Sequence, residues 1–241
     1  MSRKLNTNDV RFYEFQGEYF PSVTSILKAK AKGEGYERWL GNAKSYRDAC
    51  NYRDERADIG LEIHKRVPGF LKHRDPMKYR THRGYMVSLL KAIELYTMRP
   101  VLTEEPVLNL RHGYGGTMDM LCQMLVPDPI IAVLDWKTGA VHEDQHPLQV
   151  SRYMMDAHDS AWGKSHPKSR PTVAVVVPLR EDGNFKPNDV LFITWKEARS
   201  AASAFLGVKK AFDWEHRHDT VDMNDVKSHA FPLVRPRIIV R

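Results

Sequence analysis

The apolar positions of this chain change period part-way along. Up to about Tyr96 they recur every three or four residues, as in amphipathic helices; beyond Val107 they gather into short β-branched runs bounded by turn residues. Alternating aromatics around Gln16-Gly17 predict a hairpin over Val10–Phe20. A helix opens at Pro21–Leu27, with Ser22 as its N-cap and Ser25 in its first turn. Helical spacing continues over 28–66, with a break near Lys32–Gly35, and again over Tyr85–Tyr96, where Arg99-Pro100 closes the helix. Strands are predicted at Val107–Leu110, Thr117–Val126, Ile130–Lys137, Thr172–Leu179 and Val190–Trp195. The glycines of Arg111–Gly116 are assigned to a turn. Helices follow from Pro147 and over Glu197–Trp214, and the tail Phe231–Arg241 reads as a loose basic arm.

Two carboxylates break the apolar runs. Asp119 lies inside TMDMLCQMLV, where burial is costly unless the charge is paired or bound to a cation. Asp135 and Lys137 end the run IIAVLDWK, and strand alternation projects them together while Trp136 points away. The bland reading of that pair is a strand-end ion pair before the turn at Thr138-Gly139. The chemical reading is a divalent cation on Asp135 with Lys137 beside an attacking water; if the Asp119 strand is a neighbour, both carboxylates reach one point, as a hard-cation site requires. His64, one turn after Gly60, reads either as a packed core histidine or as a ligand. Gln149 and Tyr153 share a helix face and can both hydrogen-bond a phosphate or a liganding group. Ser22 and Thr24 suit helix capping or, alternatively, phosphate binding.

Lysine and arginine exceed the acids by 37 to 30, and the pI of 9.3 biases partners toward polyanions. Arg53 and Arg56 belong to a basic helical surface that is either solvated or follows a phosphate backbone. Cys50 and Cys122 form no CxxC pair, so a four-thiolate iron–sulfur cluster or zinc ribbon is excluded. No Walker motif is present, so no ATP motor is encoded. His142-Glu143-x-x-His146 matches a zinc-protease pattern by letter, but Pro147 follows it and no long helix surrounds it. The opening residues lack a signal-peptide core and no run approaches ~20 apolar residues, so a cytoplasmic protein with no membrane partner is expected.

In order, the chain presents G-L-E-I-H at Gly60–His64, G-G-T-M-D at Gly115–Asp119, D-W-K-T-G at Asp135–Gly139 and Q-V-S-R-Y at Gln149–Tyr153, after P-S-V-T-S-I-L at Pro21–Leu27. This arrangement resembles the PD-(D/E)XK nuclease superfamily in its RecB-like exonuclease branch, including phage enzymes and the mitochondrial genome maintenance exonuclease. The resemblance implies an α/β, restriction-endonuclease-like fold: a central mixed sheet of about four or five strands flanked by helices, with a helical N-terminal region. One domain is expected over 1–241, with the helical, basic part in 1–100, the catalytic sheet in 101–215 and the tail in 216–241. His64, Asp119, Asp135 and the Trp136 carbonyl would ligate Mg2+ or Mn2+, and Lys137 would position the water. Gln149 and Tyr153 would shape the site and contact DNA, with Ser22, Thr24, Arg53, Arg56 and Thr138 as further substrate contacts; Glu55 and Glu105 receive no role. The implied activity is a metal-dependent exonuclease on single-stranded or end-bearing duplex DNA in a bacterial or phage-infected cell, recruited by a separate helicase or single-strand annealing or binding protein. A non-catalytic DNA scaffold and a structure-specific endonuclease are the alternatives.

Overall fold

The computed structural model describes residues 10–30, 34–219, 223–233 and 236–241. It is α/β, with a six-stranded mixed sheet flanked by helices and a helical N-terminal region. The hairpin forms as expected from β1 (Phe12–Phe15) and β2 (Glu18–Pro21), and its turn residues Gln16 and Gly17 both adopt positive φ. Ser22 then caps the short α1 (Val23–Leu27), accepting a hydrogen bond from Ser25 N at 3.0 Å. Helices α2 (Glu34–Gly41), α3 (Tyr46–His73) and α4 (Arg83–Leu95) complete the N-terminal part. Nine of the first twelve residues of α3 are exposed, whereas Ala49, Ile63, Val67 and Phe70 are buried. α3 runs through Pro68, which has no N–H to offer the His64 carbonyl and so loosens the turn that carries His64.

The sheet comprises β3 (Arg99–Asn109), β4 (Tyr114–Val126), β5 (Asp128–Lys137), β6 (Val173–Pro178) and β7 (Leu191–Ile193), and two further strands come from the C-terminal segment. α5 (His146–Asp159) and α6 (Ala161–Ser165) connect β5 to β6, while α7 (Trp195–Glu215) and α8 (Met223–His229) follow β7. β8 (Phe231–Pro232) pairs with β1, and β9 (Ile238–Val240) closes the large sheet in the order β7-β6-β5-β4-β3-β9. The tail is therefore a structural strand and not a loose arm. Ile238 is fully buried, and the buried Glu105 carboxylate accepts from Arg237 N at 3.0 Å, which gives Glu105 a structural role. Two strand starts also differ from expectation. Arg99-Pro100 opens β3 instead of closing a helix, and Gly115-Gly116 lie inside β4, leaving the turn to 110–113.

Each sheet face is covered by a helical layer, giving three layers in all. One face packs against α1, α5 and α7 through Ile26, Val150, Met154 and Phe205; the other packs against α3 and α4 through Val67, Phe70, Met86 and Leu89. A buried polar cluster ties α5 to the β3–β4 turn: Asp156 accepts from Asn109 Nδ2 at 2.7 Å, Tyr114 Oη at 2.8 Å and Arg152 at 2.7 Å. These bonds offset most of the cost of burying the cluster, although Arg152 Nε is left without a partner. Beyond a register shift between Pro100 and Leu102, the pleat also fails further along β3 and β4. Met118 and Leu121 join the same layer although three residues apart, and so do Leu102 and Val107, five apart; an unbroken strand would put each pair on opposite faces. The break centres on Glu104 and Asp119, which the flanking register (Thr103↔Met120, Glu105↔Met118) sets against each other.

Candidate metal centre

β5 delivers the first half of the site. Asp135 and Lys137 leave the strand on the α5 side, while Trp136 turns its ring into the opposite layer. Asp135 is 2% exposed, and its Oδ2 lies 2.7 Å from Lys137 Nζ without the alignment of a good hydrogen bond. Burial holds the Asp135 carboxyl above the ordinary range, and the lysine only partly offsets this. Lys137 Nζ also donates to Gln149 Oε1 at 3.3 Å, so α5 helps fix the ammonium.

The pleat break delivers the second half. The β4–β5 ladder runs from Val126↔Asp128 to Met120↔Leu134, and beyond it Asp119 Oδ2 accepts from Trp136 N at 2.8 Å. Since the N–H and C=O of a strand residue face the same side, the Trp136 carbonyl also faces Asp119. Glu104 has φ +48° and is, among the described residues, the one non-glycine inside a strand with positive φ. Such a backbone costs about 1–3 kcal/mol and is characteristic of functional sites. From α3, His64 Nδ1 reaches within 3.3 Å of Asp119 Oδ1 and 3.9 Å of Glu104 Oε1.

His64, Glu104 and Asp119 place one ligand atom each within 4.8 Å of one another. Glu104 Oε1 is buried with no hydrogen-bond partner. Burial, with the charges of Asp119 and Asp135, pushes the Glu104 carboxyl up to about 7 even though His64 opposes it. Burial disfavours the His64 cation, but Asp119, by its charge and hydrogen bond, outweighs this and pushes the imidazole up to about 9. Oxygen-rich donors, a nitrogen and two carboxylate oxygens lacking well-formed hydrogen bonds fit a hard divalent cation. Glu104 escaped the sequence reading because prolines at 100 and 106 obscured its strand; the signal available was an acidic pair, Glu104-Glu105, entering an apolar run.

The other expected contacts are placed as follows. Tyr153 is 3% exposed, and its hydroxyl fills the space where a Cβ at Gly116 would stand, 2.4 Å away, so it packs within the core and does not project as the expected DNA contact. Arg56 does not project freely to solvent. It donates to the Thr138 carbonyl at 2.7 Å and Tyr85 Oη at 2.9 Å, and pairs with Glu181 at 3.1 Å. This clamp grips the residue after Lys137, and Gly60 lets α3 pass close to the Thr138 hydroxyl. Arg53 is exposed and pairs with Asp54, and Glu55 is exposed. Ser22 is 2% exposed and used as a cap, with Thr24 exposed beside it. His142 precedes α5 while His146 begins it, and the His142 N–H donates to His146 Nδ1 at 3.1 Å, so the pair does not share the helix face that a zinc protease needs.

No protein-family model matches this chain, and no curated protein matches it in sequence. Among the described residues, no helix is long and apolar enough to cross a membrane.

Proposed function

We propose that this chain is a divalent-metal-dependent nuclease of the PD-(D/E)XK type that hydrolyses DNA from its ends. One observation carries the reading: His64, Glu104 and Asp119, from a helix and two strands, bring ligand atoms within 4.8 Å of one another, and on the next strand the buried Asp135, whose charge acts on both Glu104 and His64, lies 2.7 Å from the Lys137 ammonium. A scaffold protein gains nothing from buried carboxylates facing a polyanion, whereas a hydrolase needs them. His64, Glu104, Asp119 and Asp135, with the Trp136 carbonyl, would hold Mg2+ or Mn2+. Such an ion supplies Lewis acidity toward a phosphate oxygen and an acidified water.

The chain's own groups do the rest. Lys137, paired with Asp135 and steered by Gln149, holds the attacking water and offsets the negative charge that grows on the phosphate. Arg56, by gripping Thr138, keeps Lys137 in register. Tyr153 and Gly116 form a rigid wall behind them.

The test uses end-labelled linear single strands, linear duplex and closed circles, with Mg2+, Mn2+ or EDTA, for wild type and Lys137→Ala. Loss of linear DNA alone, abolished by EDTA and at least ~100-fold slower in the variant, is expected. Equal loss of circles would make the enzyme an endonuclease. Survival of every substrate despite salt-sensitive binding would make the chain a scaffold.

A further inference from the structure

The positive charge of the chain is not spread evenly. Residues 63–91 contain eight lysines and arginines and one acid, Asp75, an excess of seven that equals the net charge of the whole chain. The preceding stretch, 34–62, carries seven acids against five lysines and arginines, so the exposed first half of α3 has no net attraction for a polyanion. Within 63–91, Lys65 and Lys72 on α3, Lys78 and Arg80 in the α3–α4 loop, and Arg83 at the start of α4 are all exposed. Among the described residues, none of these five side chains forms an ion pair.

The loop is folded back onto α3 over the turns that follow His64. Arg66 donates to the Thr81 carbonyl at 3.0 Å, and the Tyr79 ring meets Phe70 edge-on at 5.8 Å with its hydroxyl close over Gly69. The loop cations thus lie beside the turns that follow His64. Five unpaired cations in one corner repel one another, and phosphates relieve that repulsion while releasing their own counterions.

We infer that this corner, Lys65, Lys72, Lys78, Arg80 and Arg83, is the track along which the nucleic-acid backbone runs away from the scissile phosphate. The inference rests on the nuclease reading and names the surface that seats its substrate. From Lys65 to Lys72 the helix rises about 10 Å, room for roughly three phosphates of one duplex strand.

Binding of a short labelled single strand and of its duplex is followed by fluorescence anisotropy over a KCl series, in EDTA so that nothing is cleaved. Wild type is compared with Lys78→Ser/Arg80→Ser/Arg83→Ser and with Lys164→Ser/Lys168→Ser/Lys196→Ser, which removes the same charge from another face. Thermal melts confirm that both variants fold. For the loop variant, the slope of log affinity against log salt should flatten by about 2 on single strands and nearly 3 on duplex, with affinity at least ~10-fold weaker. The control should keep the wild-type slope. An unchanged slope in the loop variant, or an equal loss in the control, overturns the track while leaving cleavage by the wild type to support the nuclease reading. If wild type neither cleaves nor binds nucleic acid in a salt-dependent way, both fall together.

Discussion

Glu104→Gln should make the metal-free protein more stable and weaken its response to a divalent cation. The carboxylate has an unpartnered buried oxygen and faces Asp119, Asp135 and His64, with Lys137 beyond. Its folded-state value of about 7 stands above the ordinary 4.5, so ionisation is disfavoured in the fold. The sign follows directly: below about 4.5 the group is protonated folded and unfolded and has no effect, and stability is lost as pH rises to about 7. The full shift corresponds to ~3.4 kcal/mol, and because the side chain is 31% exposed, solvent screening reduces this to about 2. Glu104→Gln removes that penalty. At pH 8 in EDTA its melting temperature should exceed wild type by ~4–8 °C, and at pH 4 the two should coincide. Adding Mn2+ should raise the wild-type melting temperature more than the variant's, because the variant has lost an anionic donor. Differential scanning fluorimetry at both pH values, with and without Mn2+, reads all of this. A variant less stable than wild type at pH 8 without metal would show that Glu104 is a structural partner and refute the reasoning.

Arg56→Lys cannot satisfy Thr138, Tyr85 and Glu181 together, so kcat should fall ~10–100-fold while KM for DNA and the salt slope of binding stay unchanged; steady-state kinetics with a raised KM and a slope smaller by about one would instead make Arg56 a phosphate contact. Gly84→Ala would place a Cβ 1.6 Å from the Glu181 carbonyl oxygen, an overlap that only a backbone shift relieves. It should cost about 3 kcal/mol, a fall of ~6–12 °C in a thermal melt, and an unchanged melt would refute the close seating of that loop on α4.

Local chemistry was legible wherever the period of the chain was regular. Alternation along IIAVLDWK put Asp135 and Lys137 on one side and Trp136 on the other, and the fold keeps them so. The i, i+4 spacing of Gln149 and Tyr153 likewise placed both on the α5 face that meets the sheet, where Gln149 reaches Lys137. By itself, the sequence determined the hairpin, the helical first part and the strands of the sheet centre, because period and capping are local properties. Glu104 was hidden because Pro100 and Pro106 argue against a strand that neighbours on both sides nevertheless stabilise. Gly115 and Gly116 read as turn residues, yet they lie in β4 because the rings of Tyr13 and Tyr153 press against that strand. The tail resembled a loose basic arm until β9 found β3, a pairing between residues more than a hundred positions apart. Only tertiary structure could decide these points, as well as the diversion of Arg56 from solvent to Thr138. Each depends on which distant group supplies the missing hydrogen bond, charge or contact, and no local pattern encodes that partner.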